Sequence, residues 1–271
     1  MVERIFVYFI YLLPISLVFS RFLSDFIISL SSIFFFFLIF KKKIYSYLKN
    51  KFVLIYFIWC FFLILTSFFS ENVLLSLEST LFYFRFGLYV LVFCYLANHY
   101  EDFLKNFCLI FLFIILILLA DSLMQYFIGK NILGYAYNGV KLSSFFKDEE
   151  VLGSFLSRTF IIPIIGYIYI NKRFNYDNEI LLIYLLLVFF IIFISGERTA
   201  FFIYFLNIII LFFSYMKIYK KNFIYILMSI IIVFTTLYFE KSQFKRMILD
   251  TYNEFNKKIK DSSIESFNMF T

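Results

Sequence analysis

Long apolar runs recur along the chain, and they constrain the fold more than any other feature of the sequence. A helix that crosses a bilayer needs about 17–25 mostly apolar residues, and we interpret nine runs as helices of this kind. They cover residues 5–20, 26–40, 52–70, 78–97, 106–129, 151–170, 179–196, 199–216 and 223–239. We therefore expect an all-α fold in which residues 1–239 form a polytopic transmembrane helical bundle of about nine spans.

The composition excludes the other common fold classes. Hydrophobic residues make up 63% of the 271 residues and charged residues only 16%. In a soluble domain about half of the residues are apolar and about a quarter are charged. Disordered chains are poor in aromatic residues, but 25% of the residues here are aromatic. The chain is therefore expected to be a membrane protein.

The distribution of Lys and Arg predicts the orientation in the membrane. Cytoplasmic loops are enriched in both, and the loops after the second, fourth, sixth and eighth runs contain most of the cations of the short loops. We expect the amino terminus in the cytoplasm and the tail, 240–271, outside, which in a bacterium means the periplasm or the cell exterior. The net charge of +7 then reflects membrane orientation, so no nucleic-acid partner is expected. Over 240–260 the apolar residues share one helical stripe, which predicts an amphipathic interfacial helix at the start of a periplasmic loop.

Neither a cofactor nor a metal is expected. The three cysteines, Cys60, Cys94 and Cys108, lie within apolar runs and form no Cys-x-x-Cys pair. His99, the single histidine, leaves no His cluster for a metal and falls in a predicted cytoplasmic loop. Any chemistry would therefore depend on the charged side chains.

Four arginines are predicted at or just beneath the outer membrane face. Arg85 and Arg158 lie about seven residues inside their runs, or roughly 10 Å below the boundary, while Arg21 and Arg198 occupy outer turns. Charges in apolar spans are costly, and a guanidinium grips phosphate oxygens in pairs. We expect Arg85, Arg158 and Arg198 to bind an anionic group such as a lipid-linked pyrophosphate. The alternatives are contacts with lipid headgroups and an ion pair with Asp121.

Acidic residues adjoin two of these arginines. Asp148, Glu149 and Glu150 precede the sixth run, and Glu197 is next to Arg198. Glu149, Glu150 and Glu197 are candidate catalytic residues because a carboxylate can orient a bound hydroxyl or accept its proton. The alternatives are salt bridges to the arginines and a capping role, since acids are favoured at a helix N-terminus.

Several segments resemble a known family. "SFFKDEEVLGSFLSR" (144–158), followed by "PIIGY" (163–167), and "ISGERTAFF" (194–202) are similar to the signature stretches of the bacterial O-antigen ligase and O-antigen polymerase family. "DSLMQYFIGKNILGY" (121–135) resembles the segment that precedes them, and "YLLPISLVFSRF" (11–22) resembles the first span. The resemblance covers most of the chain, and the Ser-Gly-x-Arg turn is its most specific part.

The resemblance implies a membrane glycosyltransferase that works on the periplasmic face without a nucleotide or a metal. Such enzymes move a glycan from an undecaprenyl-pyrophosphate carrier to lipid A-core or to another repeat unit in lipopolysaccharide biosynthesis. The partners implied are the carrier-linked glycan, its lipid A-core or glycan acceptor, and membrane lipids. By their position in the motifs, Arg158 and Arg198 would contact the pyrophosphate. Arg85 is a further candidate for contact with the pyrophosphate, by its predicted depth in the membrane and not by a motif.

The chain departs from the family pattern near its end. The family has a large periplasmic loop after the ninth span, with a His proposed as the base, but this sequence ends at Thr271 and has no outer-face His. We expect a truncated piece of a longer protein, and an inactive relative is the alternative. Two rival functions are a flippase or exporter of lipid-linked sugars and a non-catalytic membrane scaffold. A flippase would need polar residues through the membrane midplane, and the predicted spans contain few.

Overall fold

The computed structural model of this protein describes residues 2–42, 45–137, 139, 141–147, 149, 151–170 and 178–216. Within these ranges the regular elements are eleven α-helices and two short 3-10 helices, and no strand is formed. The α-helices are α1 (Val2–Tyr11), α2 (Leu13–Phe19), α3 (Arg21–Lys42), α4 (Lys51–Ser67), α5 (Val73–Thr80), α6 (Phe84–His99), α7 (Phe103–Ile128), α8 (Leu152–Thr159), α9 (Ile161–Ile170), α10 (Asn178–Ile194) and α11 (Arg198–Met216). The predicted all-α class is confirmed for these residues. The run 223–239 and the helix predicted over 240–260 lie outside them.

Among the residues that the structure describes, three helical segments are long and apolar enough to cross a membrane, as judged by length and composition. They are Arg21–Lys41, Val73–His99, in which α5 and α6 are joined by the turn 81–83, and Phe103–Ile128. Shorter apolar helices cover Lys51–Ser67, Leu152–Tyr167, Ile183–Ile194 and Arg198–Leu211. These helices support the prediction of a helical membrane protein, while the nine spans and their orientation stay predictions.

The chain divides into two compact units, residues 1–110 and residues 111–271, and α7 begins in the first and continues into the second. In the first unit, the first predicted run is split between α1 and α2. Pro14 has no amide hydrogen to donate to Ile10, so the helical ladder is interrupted there. After one extended residue, Ser20, α3 runs back along α1, and the ring of Phe6 stacks on that of Phe34.

Three helices of the first unit pack closely because their contacts use small side chains. Ser32 of α3 is buried, and its hydroxyl donates to the backbone oxygen of Arg85 in α6 at 2.7 Å. The Tyr56 hydroxyl of α4 donates to the backbone oxygen of Tyr83, also at 2.7 Å. The Tyr56 ring covers Gly87, where a Cβ would lie 2.5 Å from Cε1 of that ring. Serine and glycine at these positions allow the close helix approach typical of membrane proteins.

In the second unit, the sixth predicted run is interrupted between α8 and α9. Pro163 cannot donate to the preceding turn, and the ladder breaks at Phe160. Other helices bind the carbonyls beside the break: the Tyr184 hydroxyl donates to the oxygen of Phe160 at 3.0 Å, and the Asn207 amide donates to that of Ser157 at 2.9 Å. Such replacement partners make a broken helix tolerable in apolar surroundings.

The apolar face of α8 anchors this unit. Leu152, Leu156 and Phe160 recur at the four-residue spacing of one helical face, and all three are fully buried. The face packs against α10 and α11, where the ring of Phe160 lies 4.9 Å from that of Tyr204. The residues next to this face are therefore held in fixed positions.

Replacing Gly153 by Ala is expected to destabilise the second unit. An added Cβ would collide with Oγ of Ser195 and lie 3.1 Å from Oε1 of Glu197 and 3.2 Å from Cβ of Ala200. Overpacking of this kind costs roughly 1–3 kcal/mol, which denaturant unfolding in detergent would measure. Thr199→Ala is the matched control because Thr199 is exposed on α11. Equal stability of Gly153→Ala and wild type would contradict this packing.

Candidate functional site

The carboxylate of Glu197 joins two segments that are distant in the sequence. Its Oε1 accepts a hydrogen bond from the amide of Gly153 at 2.7 Å, and its Oε2 accepts from the amide of Ser154 at 2.9 Å and from the hydroxyl of Ser154 at 2.5 Å. These amides belong to the first turn of α8, where amides lack intrahelical partners and the helix dipole favours negative charge. Val151, the residue before α8, provides no side-chain cap. Glu197 therefore caps α8 from outside.

The turn before Glu197 depends on Gly196. Its φ of 70° lies in the left-handed region that glycine adopts readily. The amide of Ser195 donates to Ile191 at 2.8 Å, and that of Gly196 donates to Phe193 at 3.2 Å. These bonds satisfy the last carbonyls of α10 and end the helix. Glu197 is then the single residue between this turn and α11.

Two of the predicted pyrophosphate-binding arginines lie on the segments that Glu197 joins. Arg158 is exposed in the last turn of α8, and Arg198 is partly buried at the start of α11. α8 packs directly against α11. Within the described ranges, no side chain forms an ion pair or hydrogen bond with Arg158. The structure thus places both motif segments in one packed assembly.

The third predicted arginine, Arg85, belongs to the first unit and binds α3. Its Nη2 donates to Asp25 at 2.9 Å and its Nη1 donates to Ser29 at 3.2 Å, while the guanidinium lies 5.0 Å from the centre of the Phe86 ring. Asp25, Ser29 and Ser32 recur at i, i+4 and i+7, which places them on one face of α3. The sequence shows that these three polar residues share a face of α3, whereas the helix that this face meets is set by the packing.

Asp121, the acid considered above as an arginine partner, binds the loop that follows α7. The residue is fully buried. Its carboxylate accepts hydrogen bonds from the hydroxyl of Ser144 at 2.5 Å, the amide of Ile132 at 2.9 Å and the side chain of Asn131 at 3.4 Å. A buried carboxylate needs such donors, and here both halves of the loop supply them.

Gln125, one turn further along α7, holds the same loop. Its side-chain oxygen accepts from the amides of Ser144 at 2.8 Å and Ser143 at 3.3 Å, and its side-chain nitrogen donates to the backbone oxygen of Tyr135 at 3.3 Å. Ser144 has a φ of 50° and Lys147 a φ of 58°. Non-glycine residues adopt such angles only when their surroundings enforce them. We call Asp121, Gln125 and their partners the loop latch.

The three acids before α8 are only partly covered by the structure. Glu149 is exposed, and its amide donates to the backbone oxygen of Phe146 at 3.0 Å. Asp148 and Glu150 lie outside the described residues. The roles of Glu149 and Glu150 as candidate catalytic residues therefore stay predictions.

No cluster of three or more His, Cys, Asp or Glu side chains that could hold a metal occurs among the described residues. His99 lies in the first unit, where its ring centre is 4.1 Å from that of Tyr95. Compared with models of protein families, with curated proteins and with solved structures, the chain matches none of them. Its function is therefore inferred from its own residues.

Replacing Asp121 by Asn is expected to loosen the loop latch. The amide group of Asn would face hydrogen-bond donors that now meet a carboxylate oxygen. A hydrogen bond to a charged group contributes about 1.5–3 kcal/mol, so hydrogen exchange at the Ile132 amide should become about ten- to a hundredfold faster. Exchange mass spectrometry of the loop peptides measures this. Ser122→Ala is the control, because the Ser122 hydroxyl donates to Leu118 within α7. Unchanged exchange in Asp121→Asn would contradict the latch.

Proposed function

We propose that the chain is a bacterial inner-membrane glycosyltransferase that moves a glycan from an undecaprenyl-pyrophosphate carrier to lipid A-core or to another repeat unit. Three helical segments of the described part of the chain, each long and apolar enough to cross a bilayer, support membrane residence. The resemblance of its motifs to O-antigen ligases and polymerases supports the reaction class.

One observation carries the proposal: three of the five segments that resemble the family form one hydrogen-bonded assembly. The segment 121–135 binds the start of 144–158 through the loop latch. The segment 144–158 binds 194–202 through Glu197. Parts of a chain that act on one substrate must be close in space. Here 194–202 is close to 144–158 although 35 residues separate the two segments.

The proposed reaction is an inverting transfer in which the acceptor hydroxyl oxygen attacks the anomeric carbon. The bond from that carbon to the pyrophosphate oxygen breaks, and the electron pair leaves with the pyrophosphate. Arg158 and Arg198 would neutralise the charge that develops on this leaving group, where fixed cations contribute most. The proton of the acceptor hydroxyl passes to a base, for which the resemblance implies a His in the family's periplasmic loop, with Glu149 and Glu150 as the alternative. Arg85 stays a candidate for the pyrophosphate by depth alone, and its Nη2 also binds Asp25.

The proposal includes nine crossings, with the amino terminus in the cytoplasm and the arginine motifs facing the periplasm. It predicts that a cysteine placed at Ala136, in the loop after α7, reacts with an impermeant maleimide in intact cells. A cysteine at Glu101, between α6 and α7, should react only after permeabilisation. Both positions are exposed. The background for both carries Ser in place of the three native cysteines, and the opposite labelling pattern would overturn the orientation.

Arg158→Ala and Arg198→Ala are each expected to weaken binding of undecaprenyl pyrophosphate by the full chain in lipid nanodiscs. Loss of a charge-assisted hydrogen bond costs about 1.5–3 kcal/mol, which corresponds to about ten- to a hundredfold in affinity. Binding of undecaprenyl monophosphate should change less, because one phosphate offers fewer oxygens to the arginines. Cells that produce Arg198→Ala at wild-type level should lack surface glycan.

Arg4→Ala is the matched control for these variants, because Arg4 is an exposed arginine at the predicted cytoplasmic end. It should leave affinity and surface glycan unchanged. Normal glycan on cells with Arg198→Ala would remove that residue from the mechanism. A wild-type chain that moves lipid-linked sugar across a vesicle membrane without transferring it would favour the flippase instead.

A further inference from the structure

We infer that Glu197 is a positioning residue that sets the separation of Arg158 and Arg198, rather than the group that accepts the proton of the acceptor. This inference rests on the proposed function for its consequence in binding. The structural part, that one carboxylate holds α8 against the 195–198 turn, can be tested without any substrate.

The hydrogen bonds of Glu197 argue against proton transfer. A carboxylate offers about four lone-pair sites, and three are taken by donors of Gly153 and Ser154. A general base must lie within hydrogen-bond reach of the proton that it removes. The cap of α8 leaves about one lone-pair site of Glu197 open and fixes its direction, and any turn of the carboxylate toward an acceptor hydroxyl would break part of that cap.

The same bonds connect the two segments that carry the arginines. Arg198 follows Glu197 directly, and Arg158 lies four residues after Ser154, about 6 Å along the axis of α8. The N-terminal amides of Gly153 and Ser154 are already bound, so those donors of α8 are committed to Glu197 rather than to an anionic ligand. Binding of a pyrophosphate at this assembly would therefore depend on the guanidinium groups of Arg158 and Arg198 and on the distance between them.

The other end of α8 is fixed by the same stretch of chain. Asn207 of α11 donates to the backbone oxygen of Ser157, the residue before Arg158. Glu197 and Asn207 together hold both ends of an eight-residue helix, which opposes sliding and rotation of α8 along α11. Loss of the Glu197 bonds would leave the first turn of α8 without its cap while Asn207 still binds the last turn.

Spin labels at positions 158 and 198 test the structural part directly. In a full chain with Ser at positions 60, 94 and 108 and Cys at the two labelled positions, Glu197→Gln should broaden or shift the distance distribution. Ser154→Ala should do so less, and the double variant should be no broader than Glu197→Gln alone, because both changes remove the same contact. Glu71→Gln, an exposed acid in the α4–α5 turn, is the control. An unchanged distribution in Glu197→Gln would overturn the inference.

Binding and transfer by the full chain with its arginines intact test the consequence. A positioning role predicts that Glu197→Gln and Ser154→Ala both weaken binding of undecaprenyl pyrophosphate, on the order of tenfold for Glu197→Gln and non-additively in the double variant. Residual transfer should keep its pH dependence. Wild-type affinity in Glu197→Gln, with transfer strongly reduced and one limb lost from the pH profile of the residual transfer, would make Glu197 the base and overturn the inference. If the wild-type chain does not bind this lipid, the proposed function fails, and the label distances still decide whether Glu197 clamps α8.

Discussion

The packing of this chain depends on backbone groups that need a hydrogen-bond partner where water is absent. A peptide group without a partner in apolar surroundings costs several kcal/mol. At several of the places where a helix starts, breaks or is approached closely, a side chain from elsewhere in the chain supplies a partner. Glu197 does so at the start of α8, Tyr184 and Asn207 do so at its break, and Ser32 and Tyr56 bind backbone oxygens in the first unit. These few polar side chains fix which apolar helices pack together.

The sequence predicts the helices well wherever an apolar run is uninterrupted. The runs 106–129 and 199–216 correspond closely to α7 and α11, and 179–196 corresponds to α10. Their limits are set by local chemistry, such as Gly196 after α10, which can be read without knowing the rest of the structure. The turn that carries Arg198 and the helix that carries Arg158 follow from the same local signals.

The interruptions and the pairings of charged groups could not be predicted in this way. Pro14 and Pro163 mark two of the breaks, but whether a proline ends a helix depends on whether neighbours can bind the freed carbonyls. At Phe160 the neighbour comes from α10, and at Arg85 the partner Asp25 comes from α3. Asp121 appeared suitable for an arginine by depth, yet it binds a loop. Depth in the membrane is readable from a sequence, whereas the direction in which a side chain faces depends on the packing of whole helices.

The loop latch has a consequence for which changes of length the protein can tolerate. Asp121 and Gln125 face the same loop because they are four residues apart on α7, and each residue of a helix turns it by about 100°. Inserting or deleting one residue between them would rotate one of the two side chains away from the loop. Asp121 and Gln125 could then no longer bind Ser144 at the same time. The helical phase of α7 in this short interval is therefore expected to be preserved over evolution, even where the apolar residues around it are exchanged freely.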